Sequence, residues 1–253
     1  MPAIHPTEVQ ALSEIQIASC IFFLLLAPLA GAGLALINSG LGRSRNAAHS
    51  MMAALCVLAV AACAYFVCGR AFQGYAGGFA HLIKVGGKPW DWLGAEPWFF
   101  TGLPRNSVDP KLLPVVLFAW FGMLGAGLAG MIPLGSGSDR WRLAAICAST
   151  ALLAGFIFPL FAHWTWGGGF LAQLGLNYGL GGGYIDAGGA GPIHALGGLT
   201  ALAITWIVGP RRGKYSSEGM PMAIPGHNAV LVLFGCTVAL VGWLEVRTRQ
   251  LAA

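Results

Sequence analysis

Three groups of polar residues in this chain have the types and spacing to do chemistry. The first is His163-Trp164-Thr165-Trp166, followed by three glycines at 167–169. A tryptophan face holds a cation through the ring quadrupole, worth about 0.5–2 kcal/mol as the site dries. The same rings also suit an interfacial belt, where an apolar body meets a polar edge. The second group is Asp186, with His194 eight residues later. A carboxylate just ahead of a helix accepts backbone N–H groups and complements the helix dipole, so Asp186 reads as a structural cap before it reads as a ligand. His194 falls near the start of an apolar stretch, where an imidazole needs a hydrogen-bond partner. An ionisable side chain there is a candidate functional group, and a helix-contact histidine fits equally well. The third group is Arg43, Arg45, Asn46 and His49, which loop capping and charge bias explain. His49, His81 and His163 are the other candidate ligands, but no spacing among them selects a cofactor and none is expected.

The elements that must position these groups are membrane helices. Of 253 residues, 57% are hydrophobic and 9% charged, against about 25% charged in a soluble domain. That composition excludes a disordered chain, a disulfide-stapled module and an ordinary cytosolic enzyme. Six stretches, 14–37, 50–69, 112–134, 142–162, 190–208 and 226–244, reach the roughly 20 apolar residues that a span requires. None has Lys, Asp or Arg at its centre, where each costs about 2.5–3.5 kcal/mol. Pro28 and Pro159 lie inside the first and fourth spans and predict kinks. The expected fold class is all-α: a polytopic transmembrane bundle of six helices in a single domain, 1–253. The six cysteines (Cys20, Cys56, Cys63, Cys68, Cys147 and Cys236) sit in apolar stretches without CxxC spacing and read as buried thiols.

Charge sets an expected orientation. Arg43 and Arg45, then Arg140 and Arg142, then Arg211, Arg212 and Lys214 follow the first, third and fifth spans. The positive-inside rule therefore places the N-terminus outside, in a bacterial inner (cytoplasmic) membrane, with the first span acting as its own insertion signal. The long loop at 70–111 and the tail residues Arg247 and Arg249 run against the rule, the former because long loops translocate regardless of charge. The net charge of +5 forms no basic stripe, so nucleic-acid binding is not expected. Aromatics in the long loop, among them Trp90, Trp92, Trp98, Phe99 and Phe100, read as interfacial anchors or as a partner surface. Small residues at 122, 126 and 130 of the third span, and Gly197 and Gly198 of the fifth, predict close helix crossings.

Four ordered motifs resemble the ammonium transporter (Amt/Mep/Rh) family. They are INSGLGRSRNAAHSMM at 37–52, AHWTWGGGFLAQLG at 162–175, DAGGAGPIH at 186–194 and PGHNAVLVLFGCTVALVGW at 225–243. Together they cover roughly 14–245. The resemblance implies that Trp166 lines a recruitment cup for ammonium, that Asp186 is the structural carboxylate beside it, and that His194 is the first of two pore histidines. It also implies that Phe118 or Phe121 is an upper gate. The implied substrate is ammonium or ammonia, with membrane lipids around the protein and no enzyme activity, since no nucleophile–base pair or metal-ligand cluster is evident.

The family fold has eleven helices in two inverted repeats, and the resemblance covers its first six. The sequence therefore reads as a truncated member, without the second repeat and its histidine. Departures include Gly242-Trp243-Leu244-Glu245 in place of a phenylalanine-containing turn, and IPLGSGSDRW at 132–141 in place of an Ala-Leu-Ala-Glu-Arg ending. Under that reading the glycine faces of the third and fifth spans are open and are covered by other membrane subunits or by a homo-oligomer. The alternative function is accordingly a non-conducting accessory or scaffold subunit of a larger membrane complex.

Overall fold

The computed structural model describes residues 13–103, 113–186 and 188–244. Ser13 starts α1 (Glu14–Leu41) through a reciprocal cap, its hydroxyl accepting the Gln16 amide while the Gln16 side chain accepts the Ser13 amide. There follow α2 (Ser44–Gln73), β1 (Ala80–Val85), β2 (Lys88–Gly94), α3 (Leu113–Ser136), α4 (Leu143–Trp166), the short α5 (Leu174–Tyr178), α6 (Ala190–Val208) and α7 (Ala229–Trp243). Among the described residues, α1, α2, α3, α4 and α6 are long and apolar enough to cross a membrane. α7, at 15 residues, spans about 22 Å against roughly 30 Å of hydrocarbon. It starts later than the expected 226 because the backbone before it runs along the end of α1. There His227 and Asn228 donate N–H groups to the Gly42 and Gly40 carbonyls, and the Asn228 side chain caps the helix by accepting from Leu231. The expectations for Glu245, Arg247 and Arg249 fall outside the described residues.

Glycine decides how the helices cross. α3 is the most buried span, with 61% of its apolar stretch inside the protein against 22% for α6. Its stripe does not face lipid or a partner, as the sequence suggested. A Cβ at Gly122 would lie 2.7 Å from Gln73 Oε1, at Gly125 3.0 Å from the Phe158 ring, and at Gly130 3.1 Å from Val57. These are neighbours on α2 and α4, so the small residues serve internal packing. On α6, Gly197 meets Ile132 of α3, whereas Gly198 has open space around it. The tightest crossing is between α1 and α7. A Cβ at Gly33 would sit 2.6 Å from the Ala239 Cα, at Gly235 2.8 Å from the Gly33 carbonyl, and at Gly242 2.7 Å from the Ala30 Cα.

Among the described residues, three wide π-type turns interrupt the helices, at Tyr65–Gly69, Leu153–Ile157 and Ala190–Ala195. Such turns free backbone carbonyls that must find other donors in a membrane. Pro159 has no N–H to give the carbonyl four residues back, and that carbonyl, Gly155 O, takes the Cys68 thiol at 3.4 Å instead. Val67 O, in the α2 turn, accepts the Phe99 amide at 3.1 Å. Phe99 and Phe100 both adopt left-handed backbone (φ 54° and 58°), which brings the Phe100 ring edge-on to Tyr65 at 6.1 Å.

The long loop contains a β-hairpin that the sequence reading did not anticipate. Gly86 and Gly87 form its two-residue turn at φ 60° and 78°, a conformation open to glycine at both positions. Its aromatics correct the interfacial reading. Trp90 is 1% exposed and packs on Phe170 and Tyr178, and Trp92 packs on Trp164 at 4.7 Å. Trp98 and Phe99 remain about half exposed, at 51% and 53%. At the opposite end of the bundle, Asp139 gathers three loops. Arg43 and Arg211 approach its carboxylate at 3.7 and 3.8 Å, and Asn46 donates to it. Arg43 also donates to the Arg212 carbonyl at 2.6 Å, and Arg140 to the Gly209 carbonyl.

Candidate functional site

The last turn of α4 carries His163, Trp164, Thr165 and Trp166, and each has an assigned neighbour. Trp164 donates its indole N–H to the Trp92 carbonyl at 2.8 Å, and the Thr165 hydroxyl bonds back to Phe161 O at 3.1 Å. Trp166 is half-buried, edge-on to Phe158 at 6.0 Å, and donates its indole N–H to Asp186 Oδ2 at 2.9 Å. The other oxygen, Asp186 Oδ1, accepts the Gly191 amide at 2.7 Å. Asp186 is thus a cap on the wide turn that opens α6, and at the same time it fixes the plane of the Trp166 indole. The Tyr184 phenol beside it is pushed above its ordinary pKa, chiefly by burial and further by the Asp186 charge and hydrogen bond.

His194 lies in the wide turn Ala190–Ala195, exposed on this chain, with its ring edge-on to Trp243 of α7 at 5.1 Å. Trp166, Ile193 and Trp243 belong to one apolar cluster with Phe158, so Trp166 and the turn bearing His194 share a wall. The two phenylalanine candidates separate. Phe118 shares the i, i+4, i+7 stripe of α3 with Gly122, which faces Tyr65 and Gln73, and with Gly125, which faces Phe158 and Ile193. Phe121 instead packs with Cys20 of α1 and Leu117. The structure therefore brings Trp166 and Asp186 into contact, places the His194 turn beside them, puts Phe118 on the α3 stripe with Gly122 and Gly125, and packs Phe121 with Cys20 and Leu117.

His163 plays a part that sequence reasoning missed. Its side chain is 1% exposed, with Nδ1 2.8 Å from the Gln73 carbonyl and Nε2 2.9 Å from Asp91 Oδ1. A Cβ at Gly167 would lie 2.7 Å from His163 Nδ1, and one at Gly169 2.7 Å from its Cδ2. The glycines after Trp166 are therefore the socket of an imidazole. Neither Gln73 nor Asp91 was singled out, because they lie 90 and 72 residues from His163. Likewise His49, near the other end, adjoins Ser138, Asp139 and Trp141 around a cavity of about 10 Å³. Among the described residues no group of three or more His, Cys, Asp or Glu could hold a metal. What the Trp166 side offers is an aromatic face, a carboxylate committed to N–H donors, and an imidazole on an apolar wall. That chemistry suits a small cation or its conjugate base.

Comparison with known proteins gives the same direction. A model of the Ammonium Transporter Family matches residues 18–246. The ammonium transporter Amt2 of Archaeoglobus fulgidus is 37% identical over 216 residues, covering 84% of this chain and 42% of that protein. The Amt2 of Haloferax mediterranei is 30% identical over 232 residues, covering 88% and 44%. Among solved structures, a sensor Amt protein superposes with a TM-score of 0.76 at 26% identity over 92% of this chain and 53% of that one. Candida albicans Mep2 superposes at 0.73 and 24% identity, over 94% and 48%, and supports the fold. The chain spans about half the length of the relatives it matches.

Proposed function

This chain belongs to the ammonium transporter family, and on that premise we propose that it binds ammonium or ammonia on the Trp166 side and passes it along the wall that carries His194. It is an integral membrane protein by family and by its apolar helices. In this reading the hairpin end and the N-terminus face outside, as the arginine bias at the other end suggests. The observation that carries the proposal is the 2.9 Å bond from Trp166 Nε1 to Asp186 Oδ2. It commits the indole edge to a carboxylate and fixes the plane of a ring whose quadrupole attracts a cation, worth about 0.5–2 kcal/mol. Asp186 accepts an N–H at each oxygen, so its part in this reading is to orient the ring. Phe118 lies at the hairpin end of α3, upstream of the small residues that pack against Phe158 and Ile193. His194 then offers one donor or acceptor on an otherwise apolar surface.

A second reading, a non-conducting subunit of a membrane assembly, draws on the open side of the bundle. Leu202, Trp206, Phe234 and Leu240 of α6 and α7 are 61%, 85%, 59% and 68% exposed, a surface that lipid or another membrane helix can cover. Methylammonium uptake into liposomes separates the two. We expect uptake above that of empty liposomes, reduced about tenfold in Trp166→Ala and in His194→Ala, the equivalent of about 1.4 kcal/mol of barrier. Uptake no greater than that of empty liposomes overturns the transport reading. A heteromeric mass after mild extraction then favours the second.

A further inference from the structure

The hairpin is fastened to the end of α4 through a buried pair whose proton content the geometry restricts. The Gln73 carbonyl can only accept, so His163 Nδ1, 2.8 Å away, must carry a hydrogen. The other nitrogen faces Asp91 Oδ1 at 2.9 Å, and a carboxylate oxygen and an imidazole nitrogen at that distance bond only when a single proton lies between them. With no proton, two lone pairs face each other; with two, the imidazolium faces a neutral carboxylic acid and the charge assistance of the bond is gone. A Cβ at Gly167 or Gly169 would lie 2.7 Å from Nδ1 or Cδ2, so only glycine lets the backbone pass this close to the ring.

We propose that Asp91 and His163 form a one-proton clamp, holding the β1–β2 hairpin on α4 between an acid and an alkaline limit, and that His163 is thereby a positioning residue for Trp166, one turn further along the same helix. Above the alkaline limit the proton passes to solvent and the bond is lost. Below the acid limit a second proton enters from solvent, the carboxylate becomes a neutral acid, and the bond weakens to that of a neutral acceptor. The other charges about the pair are engaged elsewhere or exposed. On α2, Arg70 pairs with Glu96 beyond β2 at 3.8 Å and lies over the Tyr75 ring. On the hairpin, His81 and Lys84 are exposed on β1, and Lys88 donates to the Asn177 carbonyl. Asp186, after α4, is engaged by Trp166 and Gly191. The neutral contacts, Trp164 Nε1 to Trp92 O and the Asp91 amide to Gln173 Oε1, both 2.8 Å, remain when the clamp opens. The hairpin therefore loosens in place and does not detach.

The test is hydrogen exchange of the intact protein in detergent from about pH 4 to about pH 9, a range that brackets ordinary carboxylate and imidazole titration, with protection taken relative to intrinsic exchange at each pH. Hairpin amides at 80–94 should show a bell-shaped protection profile, with α1 and α7 flat as the folding control. Asp91→Ala should lower hairpin protection about tenfold or more at mid-range, the scale of a lost hydrogen bond to a charged group. Asp91→Asn is the discriminating variant. Its amide donates to a neutral imidazole without the extra proton, so protection should persist and the alkaline limb should vanish. A flat profile in the unsubstituted protein, or an unchanged bell in Asp91→Asn, overturns the clamp. The positioning role rests on the ammonium reading of Trp166, and its readout is the pH profile of methylammonium uptake, which should lose its alkaline fall in Asp91→Asn. A bell in exchange without any uptake keeps the clamp and rejects the transport reading alone.

Discussion

Asp186→Ala is expected to lower the unfolding free energy by about 2–4 kcal/mol, measured by thermal or denaturant unfolding in detergent. The substitution strands two donors at once: the Gly191 amide, at 2.7 Å from Oδ1, and the Trp166 indole, at 2.9 Å from Oδ2. Each orphaned N–H in a partly buried place costs about 1–3 kcal/mol. Asn is not a rescue. Its single oxygen can serve one donor, while its NH₂ group would face the other, so Asp186→Asn should fall between Ala and the native residue. An effect below about 0.5 kcal/mol for Asp186→Ala would mean that water replaces the carboxylate at both donors, and the cap would then lose its structural role.

Gly33→Leu is expected to be worse, about 3 kcal/mol or more, and to separate α7 from α1. Even a methyl group at this position would lie 2.6 Å from the Ala239 Cα, which is backbone and cannot rotate aside. Gly242 and Gly235 meet α1 in the same way, so no alternative rotation of α7 relieves the clash. Gly198→Ala, with nothing within 4 Å of its Cβ, provides the comparison and should stay within about 0.5 kcal/mol or gain slightly from helix propensity. Intact unfolding curves with an unshifted midpoint for Gly33→Leu would show that α7 is held by other contacts.

Much of this was legible in the residues before any coordinates, and the exceptions have physical causes. Apolar length alone located five spans, because only a helix satisfies its backbone in hydrocarbon, whereas the sixth expected stretch, 226–244, forms only the 15-residue α7. Their ends extended further than the apolar runs where polar residues continued the helix, as in α2, which starts at Ser44 and ends at Gln73. The hairpin was missed because its aromatics resembled an interfacial belt, although Val85-Gly86-Gly87-Lys88 is a two-residue turn signal between strand-forming residues. The glycine stripe of α3 was found but assigned to the wrong neighbours. Small residues predict a close approach without saying which helix approaches. Gly33 with Gly40 in α1, and Gly235 with Gly242 in α7, carried the tighter crossing at matched seven-residue spacing. Trp166, Asp186 and His194 were singled out from motifs that lie close together in sequence. Asp91 and Gln73 complete the His163 socket from a distance, and single-chain spacing does not encode such pairs.

The carboxylate of Asp139 has a meaning for biosynthesis. Its two guanidinium partners enter the chain far apart, Arg43 before α2 and Arg211 after α6. The three loops meet only if every intervening helix has been threaded in the correct sense, an even number of crossings apart. A buried carboxylate lacking a partner is strongly disfavoured, so a nascent chain with one helix mis-threaded retains an unneutralised acid at the bundle end. The Asp139 contacts therefore close only once the spans between Arg43 and Arg211 are all in place.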